Sequence, residues 1–202
     1  MIIDNFEQIK SLLSFDSSDS FYFLVILKRK KDNPECPKLS NSKTIKSYYI
    51  SNLDYLDSKR EEIIQLCELN NARAYINFNQ KSYEKVGLNL LKVIADRILN
   101  KQFNDIYKAY NTVCGGSTVN IGEKRWIIDI DTKDLNVVVD TQIEIEKCQS
   151  SQDFNVIALI PTVNGYHIIT HPFNLKQIEP FMRLYPFDVQ KNNPSLLYFN
   201  KQ

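Results

Sequence analysis

KRWIIDID, Lys124–Asp131, reads as a strand whose apolar character fails at one end. Trp126, Ile127, Ile128 and Ile130 suit a buried strand, because β-branched and aromatic side chains pack well on a pleated surface. Asp129 and Asp131 stand two residues apart near the C-terminal end, so the period of two sends both carboxylates out of the same face. Left unpaired, two such charges repel and raise each other's pKa. A cationic partner is therefore expected at that end of the strand.

Working outward from this strand gives the order of the elements around it. A helix is expected over 136–150, a strand over FNVIALIPT (154–162), and another over GYHIITH (165–171) after the turn TVNG. A helix over 174–183 and one or two strands within FDVQKNNPSLLYF (187–199) complete the series. The sum is βαββαβ, the ferredoxin-like or RNA-recognition-motif order, in which helices cover one face of the sheet and the other face stays open. First and third strands are central neighbours in that sheet. Asp129, Asp131 and His167 are thus expected on the open face, with Asp188 at the start of the last strand.

Upstream, 4–14 suggests a short helix, FYFLVILK (21–28) a strand, and KRKKDNPECPKLSNSK (28–43) a polar loop with solvated lysines. SYYIS suggests a strand, 54–69 a helix ended by Asn70 and Asn71, and ARAYINF (72–78) a strand. The amphipathic stretch 82–112 reads as two helices broken near Asn100, and CGGST marks a hinge. The expectation is an α/β (α+β) protein with an N-terminal α/β lobe over 1–116, packed on a βαββαβ, RNA-recognition-motif-like lobe over 117–202.

The whole-chain properties narrow the classes of function. A chain of 202 residues with 43% hydrophobic and 24% charged residues buries a sizeable core and has the composition of a globular domain. A net charge of +1 excludes a whole-molecule basic field, so any nucleic-acid surface must be local. No apolar run approaches the ~20 residues of a membrane span, and MIIDNFEQIK lacks the pattern of a secretory signal, so a cytoplasmic protein is expected. Cys36, Cys67, Cys114 and Cys148 are scattered without a close pair, as suits reduced thiols rather than a zinc ribbon. His167 and His171 are the two histidines.

Paired carboxylates at the end of a central strand are what a divalent metal needs, since Mg²⁺ or Mn²⁺ takes hard oxygen ligands and shares them with substrate phosphates. With IIDID, NGYHIIT and PFDVQKNNPSLLYF in hand, the chain resembles the archaeo-eukaryotic primase superfamily, in its compact phage and plasmid forms. That family carries a hydrophobic-Asp-hydrophobic-Asp strand, a small-x-His strand and a hydrophobic-Asp before a final strand. The resemblance implies metal ligation by Asp129, Asp131 and Asp188, and contact between His167 and the nucleotide phosphates. Gly165 occupies the small position, often serine in the family, with Thr162 or Asn164 to supply the missing polar group. Arg73 is a candidate phosphate contact from the N-terminal lobe, although an exposed arginine at a strand end is the plainer expectation.

Nucleoside triphosphates, a single-stranded DNA template and a separately encoded helicase are the implied partners. Two other classes compete with this reading. A rolling-circle initiator endonuclease would use His167 and His171 with a nucleophilic Tyr107 or Tyr110. A non-catalytic nucleic-acid-binding module of the same topology would stack bases on Trp126 and Tyr166.

Overall fold

The computed structural model describes residues 1–36, 40–185 and 187–201, so part of the 28–43 loop and Pro186 before the third motif lie outside the described residues. In chain order the first half forms β1 (Ile2–Asp4), α1 (Phe6–Lys10), β2 (Ser20–Arg29), β3 (Ser42–Ile50), α2 (Leu53–Asn70), β4 (Arg73–Ile76), β5 (Lys81–Ser82), α3 (Tyr83–Leu99) and α4 (Ala109–Gly115). The second half forms β6 (Trp126–Ile130), α5 (Leu135–Glu146), β7 (Val156–Pro161), β8 (Tyr166–Thr170), α6 (Leu175–Met182), β9 (Asp188–Gln190) and β10 (Ser195–Asn200). Short 3₁₀ turns occupy Lys30–Asp32 and Phe103–Lys108.

Local chemistry fixes the helix ends. Asn52 accepts a bond from Tyr55 N at the start of α2, and Asn71 ends that helix in the left-handed region at φ 44°. Ser82 caps α3 by accepting from Lys85 N, and Asn100 stops it where the break was expected. None of the helices among the described residues is long and apolar enough to cross a membrane.

Strand pairing produces two antiparallel sheets and a mixed α+β fold. The smaller has the order β7-β8-β6-β9, which is the expected ferredoxin-like arrangement with β6 and β8 as central neighbours. The larger has the order β1-β10-β4-β2-β3, with β5 paired to β2. Its membership departs from a division of the chain at residue 116, because β10 leaves the second lobe and inserts between β1 and β4. Burial explains the choice. Residues 195–199 are buried on both faces, as a central strand requires, whereas β9 has one exposed and two half-buried residues, suited to an edge. The helix expected over 4–14 is shorter for the same reason, since Ile2–Asp4 pair with β10 before α1 begins.

Alternation then sorts the side chains into three cores. Leu24, Ile26, Ala74 and Ile76 face α1 and α2 through Phe6, Ile9, Leu56 and Ile63, and the same core takes in Ile127, Ile160 and Ile169 from the smaller sheet. Phe21, Phe23, Val25, Tyr75, Leu196 and Phe199 form the opposite face of the larger sheet against Val86 of α3 and Val113 of α4. Ile128, Ile130 and Ile168 meet α5 and α6 through Val138, Ile145 and Ile178. The smaller sheet's second face is therefore not open along its length: its apolar end is sealed by the first lobe. Each fully buried isoleucine at that seam contributes about 1.5–3 kcal/mol relative to exposure.

Candidate active site

Along β6 and the residue after it, Ile127, Asp129 and Asp131 pass from core to solvent in two-residue steps. Ile127 is buried in the core shared by the lobes, Asp129 is half-buried and Asp131 is exposed. Across the sheet, Ile160, His167, Asp129 and Asp188 lie in one register row. The sequence-predicted aspartate and histidine thus stand side by side, with Asp188 on the outer strand.

Hydrogen bonds fix the centre of that row. His167 is 7% exposed. Its Nε2 lies 3.4 Å from Asp129 Oδ1, and its Nδ1 lies 2.9 Å from Ser195 Oγ. A carboxylate only accepts, so the Nε2 proton faces Asp129, while the Ser195 hydroxyl, which can donate or accept, holds the other ring nitrogen; a residue of the first sheet thus positions a histidine of the second. Gln190 Nε2 donates to Asp129 Oδ2 at 3.0 Å. Asp129 is thus not left unpaired. Contact with His167, helped by Gln190 and by the charge of Lys31, holds Asp129 below its ordinary pKa despite partial burial.

A cleft of about 60 Å³ opens where the seam between the lobes turns polar. From the second lobe, Asp129, Asp131, Thr162, Val163, Asn164 and His167 line it. From the first lobe come Arg29, Lys31, Arg73, Tyr75 and Leu196. Asp188 is not among its walls; it is exposed on β9 in the same row as Asp129.

Arg73 differs from the exposed strand-end residue expected. It is 6% exposed and grips Asp32 with two bonds, Nε to Oδ2 at 2.7 Å and Nη2 to Oδ1 at 2.5 Å. The 3₁₀ turn at Lys30–Asp32 folds the acid back over the strand, and the guanidinium also lies 4.6 Å from the Phe199 ring centre. Arg29 donates to Tyr75 OH at 2.9 Å. Lys31 has its pKa lowered by loss of solvent and by Arg29 and Arg73, while Asp32 and Asp131 oppose the shift. Sequence reasoning treated Arg29 and Lys31 as solvated loop charge. The phase of β2 gave one usable signal for Arg29, which follows Val25 and Leu27 at two-residue spacing on a single face.

Gly165 has a steric explanation. A Cβ there would sit 1.9 Å from Ile130 O and 2.7 Å from both Thr132 N and Thr132 O. The turn before β8 is thus pressed against the end of β6, which brings Asn164 to the cleft beside Asp131. Thr162 N donates to Gly165 O at 2.8 Å, and Thr162 Oγ1 accepts from Gly165 N at 3.2 Å. Thr162 closes the turn while lining the cleft.

The remaining candidates fall elsewhere. His171 lies outside the cleft, with Nδ1 3.3 Å from Glu123 Oε1 and its ring edge-on to Phe154. Tyr110 packs against the far face of the larger sheet. Trp126 and Tyr166 pack with the core under α5 and α6, so the face carrying Asp129 has no stacking pair from those two residues.

Among the described residues no three His, Cys, Asp or Glu side chains are gathered as a ready metal cage. Mg²⁺ does not need one: it commonly takes one or two carboxylates and completes its shell with water and substrate phosphate. The hard oxygens of Asp129 and Asp131, two apart on one strand face, fit such a shared site. Comparison of the chain with family models, with curated proteins and with solved structures finds no match.

Proposed function

We propose that the cleft is the active site of a cytoplasmic nucleotidyltransferase of the primase-polymerase kind, which extends a nucleic-acid strand on a single-stranded template during replication of a phage, plasmid or similar element. One observation carries this reading. Carboxylates Asp129 and Asp131 face Arg29, Lys31 and Arg73 across a single cleft, with His167 held between the lobes. Acid on one wall and base on the other is the arrangement a metal-bound triphosphate needs, since metal neutralises one side and cations hold the other.

Mg²⁺ or Mn²⁺ held by Asp129 and Asp131 would stabilise the entering and leaving oxygens of in-line phosphoryl transfer. The chain's own groups do the positioning. Arg29 and Lys31 bind phosphate oxygens from the first lobe. Arg73, already saturated by Asp32, contributes field more than a free fork. His167 keeps the Asp129 carboxylate ionised and aimed into the cleft, and Asn164 offers its amide from the turn. Asp188 is the outer carboxylate of the same row. The cleft is too small to swallow a nucleotide, so the phosphates point inward and the base and sugar lie across its mouth.

The test is extension of an annealed primer on single-stranded DNA with ribo- or deoxynucleoside triphosphates and Mg²⁺ or Mn²⁺. Extension should depend on the metal and fall at least ~10²-fold in Asp129→Asn/Asp131→Asn. Equal extension by this variant would overturn the assignment. A protein left covalently on cleaved DNA through a tyrosine would favour the endonuclease instead.

A further inference from the structure

A groove far larger than the cleft lies away from the carboxylates, on the outer part of the larger sheet. It measures about 1010 Å³ and runs between β3 and the segment leading into α4. Lys43, Ser47 and Tyr49 form one wall, and Tyr107, Lys108 and Asn111 the other. Among the described residues that line it there is no carboxylate, while Lys46 adds a third ammonium. Two of these lysines have acidic partners beyond the lining, Lys46 with Glu62 and Lys108 with Asp105 at 2.9 Å. Those pairs are exposed and hold the lysines weakly, so they yield to a phosphate.

The aromatic content points to bases rather than to a bare anion. Tyr107 is 78% exposed, with Lys108 Nζ 5.2 Å from its ring centre, so a flat π-face is presented beside a cation. Tyr49 is pinned by donating to Asn111 Oδ1 at 2.7 Å and by an edge contact with Tyr110 at 5.0 Å. A lysine-lined channel with an exposed aromatic platform is how proteins hold single strands whose bases are free to stack. Duplex DNA hides those base faces.

Register ties this groove to the cleft. Ser47 pairs with Val25, and Val25 pairs with Tyr75, so the three form one row on one face of the sheet. Ser47 lines the groove and Tyr75 lines the cleft. The two are two strand spacings apart, about 10 Å. We propose that the groove binds a single-stranded polynucleotide by its phosphates and bases, two strand spacings from the cleft. The groove itself follows from its own residues; that the strand it holds serves the cleft as template rests on the nucleotidyl-transfer reading.

Fluorescence anisotropy of the full chain with end-labelled oligo-dT separates the two. The wild type should bind with Kd on the order of 10⁻⁶ M near physiological salt. Lys43→Ala/Lys108→Ala should weaken binding about 10-fold and reduce the slope of log K against log salt by about 1.4, the value for two lost phosphate contacts on a single strand. Tyr107→Ala should weaken it by about 10-fold with the slope unchanged. Lys176→Ala, on α6, should have no effect. Groove variants that bind like the wild type overturn the proposal, as does a wild type that takes polyglutamate or duplex DNA as tightly as oligo-dT. If the groove variants lose binding while the wild type extends no primer, the groove stands and the nucleotidyl-transfer reading falls.

Discussion

Two ends of a single sheet face behave as different materials. At one end Ile127 and Ile169 pair across β6 and β8 and merge with the core of the first lobe. Two residues further along the same strands, Asp129 and His167 pair in the same way, and the lobes separate into a cleft. Backbone, pleat and register are continuous through both. What changes is whether the side chains gain by leaving water, and a shift of two residues turns a seam into a site. The apolar end carries cohesion, which lets the polar end keep charges that contribute little to it.

That division is broken most visibly by exchanging the two kinds of damage. Ile127→Ala should cost about 2–5 kcal/mol in denaturant unfolding, because a cavity opens between lobes that cannot collapse independently. Asp129→Asn/Asp131→Asn should cost about 1 kcal/mol or less by the same measurement. No gain from relieved repulsion is expected, since Asp129 is already stabilised in its ionised form. Comparable losses at the two ends would mean that the acidic end is a structural joint.

The junction between the ends is sharpened by Gly165→Ala. A methyl group placed 1.9 Å from Ile130 O must push the turn off β6, at about 1–3 kcal/mol. The displacement should also weaken triphosphate binding, measured by calorimetry, because Asn164 moves with the turn. A stable variant with unchanged nucleotide affinity would show that the close approach has no bearing on the cleft.

Burial of Lys81 gives a pH signature on the far side of the molecule. Its ammonium is enclosed, with Gly116 O at 3.0 Å and the side-chain oxygens of Asn120 and Asn192 as acceptors, and burial pushes its pKa down to about 8. The unfolded chain, with the ordinary value of 10.5, holds the proton more tightly, so stability from this group should rise from about pH 8 to 10.5. Lys81→Met should flatten that slope in pH-dependent unfolding.

A smaller effect of the opposite hand belongs to Asp129. Its folded pKa lies below the ordinary 3.8, so its contribution is complete above that value and is lost as pH falls through the folded pKa. His167→Ala should remove most of this acid dependence, because the histidine is the chief cause of the depression. An unaltered acid limb in the variant would assign the effect to Gln190 instead.

The smaller sheet was legible in the sequence because its information is local. Alternation over 126–131 and 165–171, together with the turn TVNG, is enough to phase Asp129, Asp131 and His167 onto one face. The basic wall was legible only in part: Arg73 was a candidate, but its pairing with Asp32, 41 residues away in sequence, and the place of Arg29 and Lys31 beside it depend on tertiary contacts. The fate of 195–200 was not legible. One apolar run suits either sheet, and its partners Ile2–Asp4 stand almost a whole chain length away. Ser195 went unnoticed beside His167 for the same reason: the contact exists only after β10 changes sheets.

That change of sheets sets a timetable for synthesis. The larger sheet contains β1 to β5, made before the smaller sheet, and β10, made after it, so β1 and β4 leave the ribosome with facing edges whose shared partner comes later. At translation speeds of about 5–20 residues per second, the interval between β4 and β10 is on the order of 10 s. Throughout it the nascent first lobe exposes two strand edges and half a core, a template for pairing with other chains. β10 acts as a zipper, and it brings with it Ser195, the partner of His167. The nascent chain therefore cannot give His167 its Ser195 partner before β10 is made.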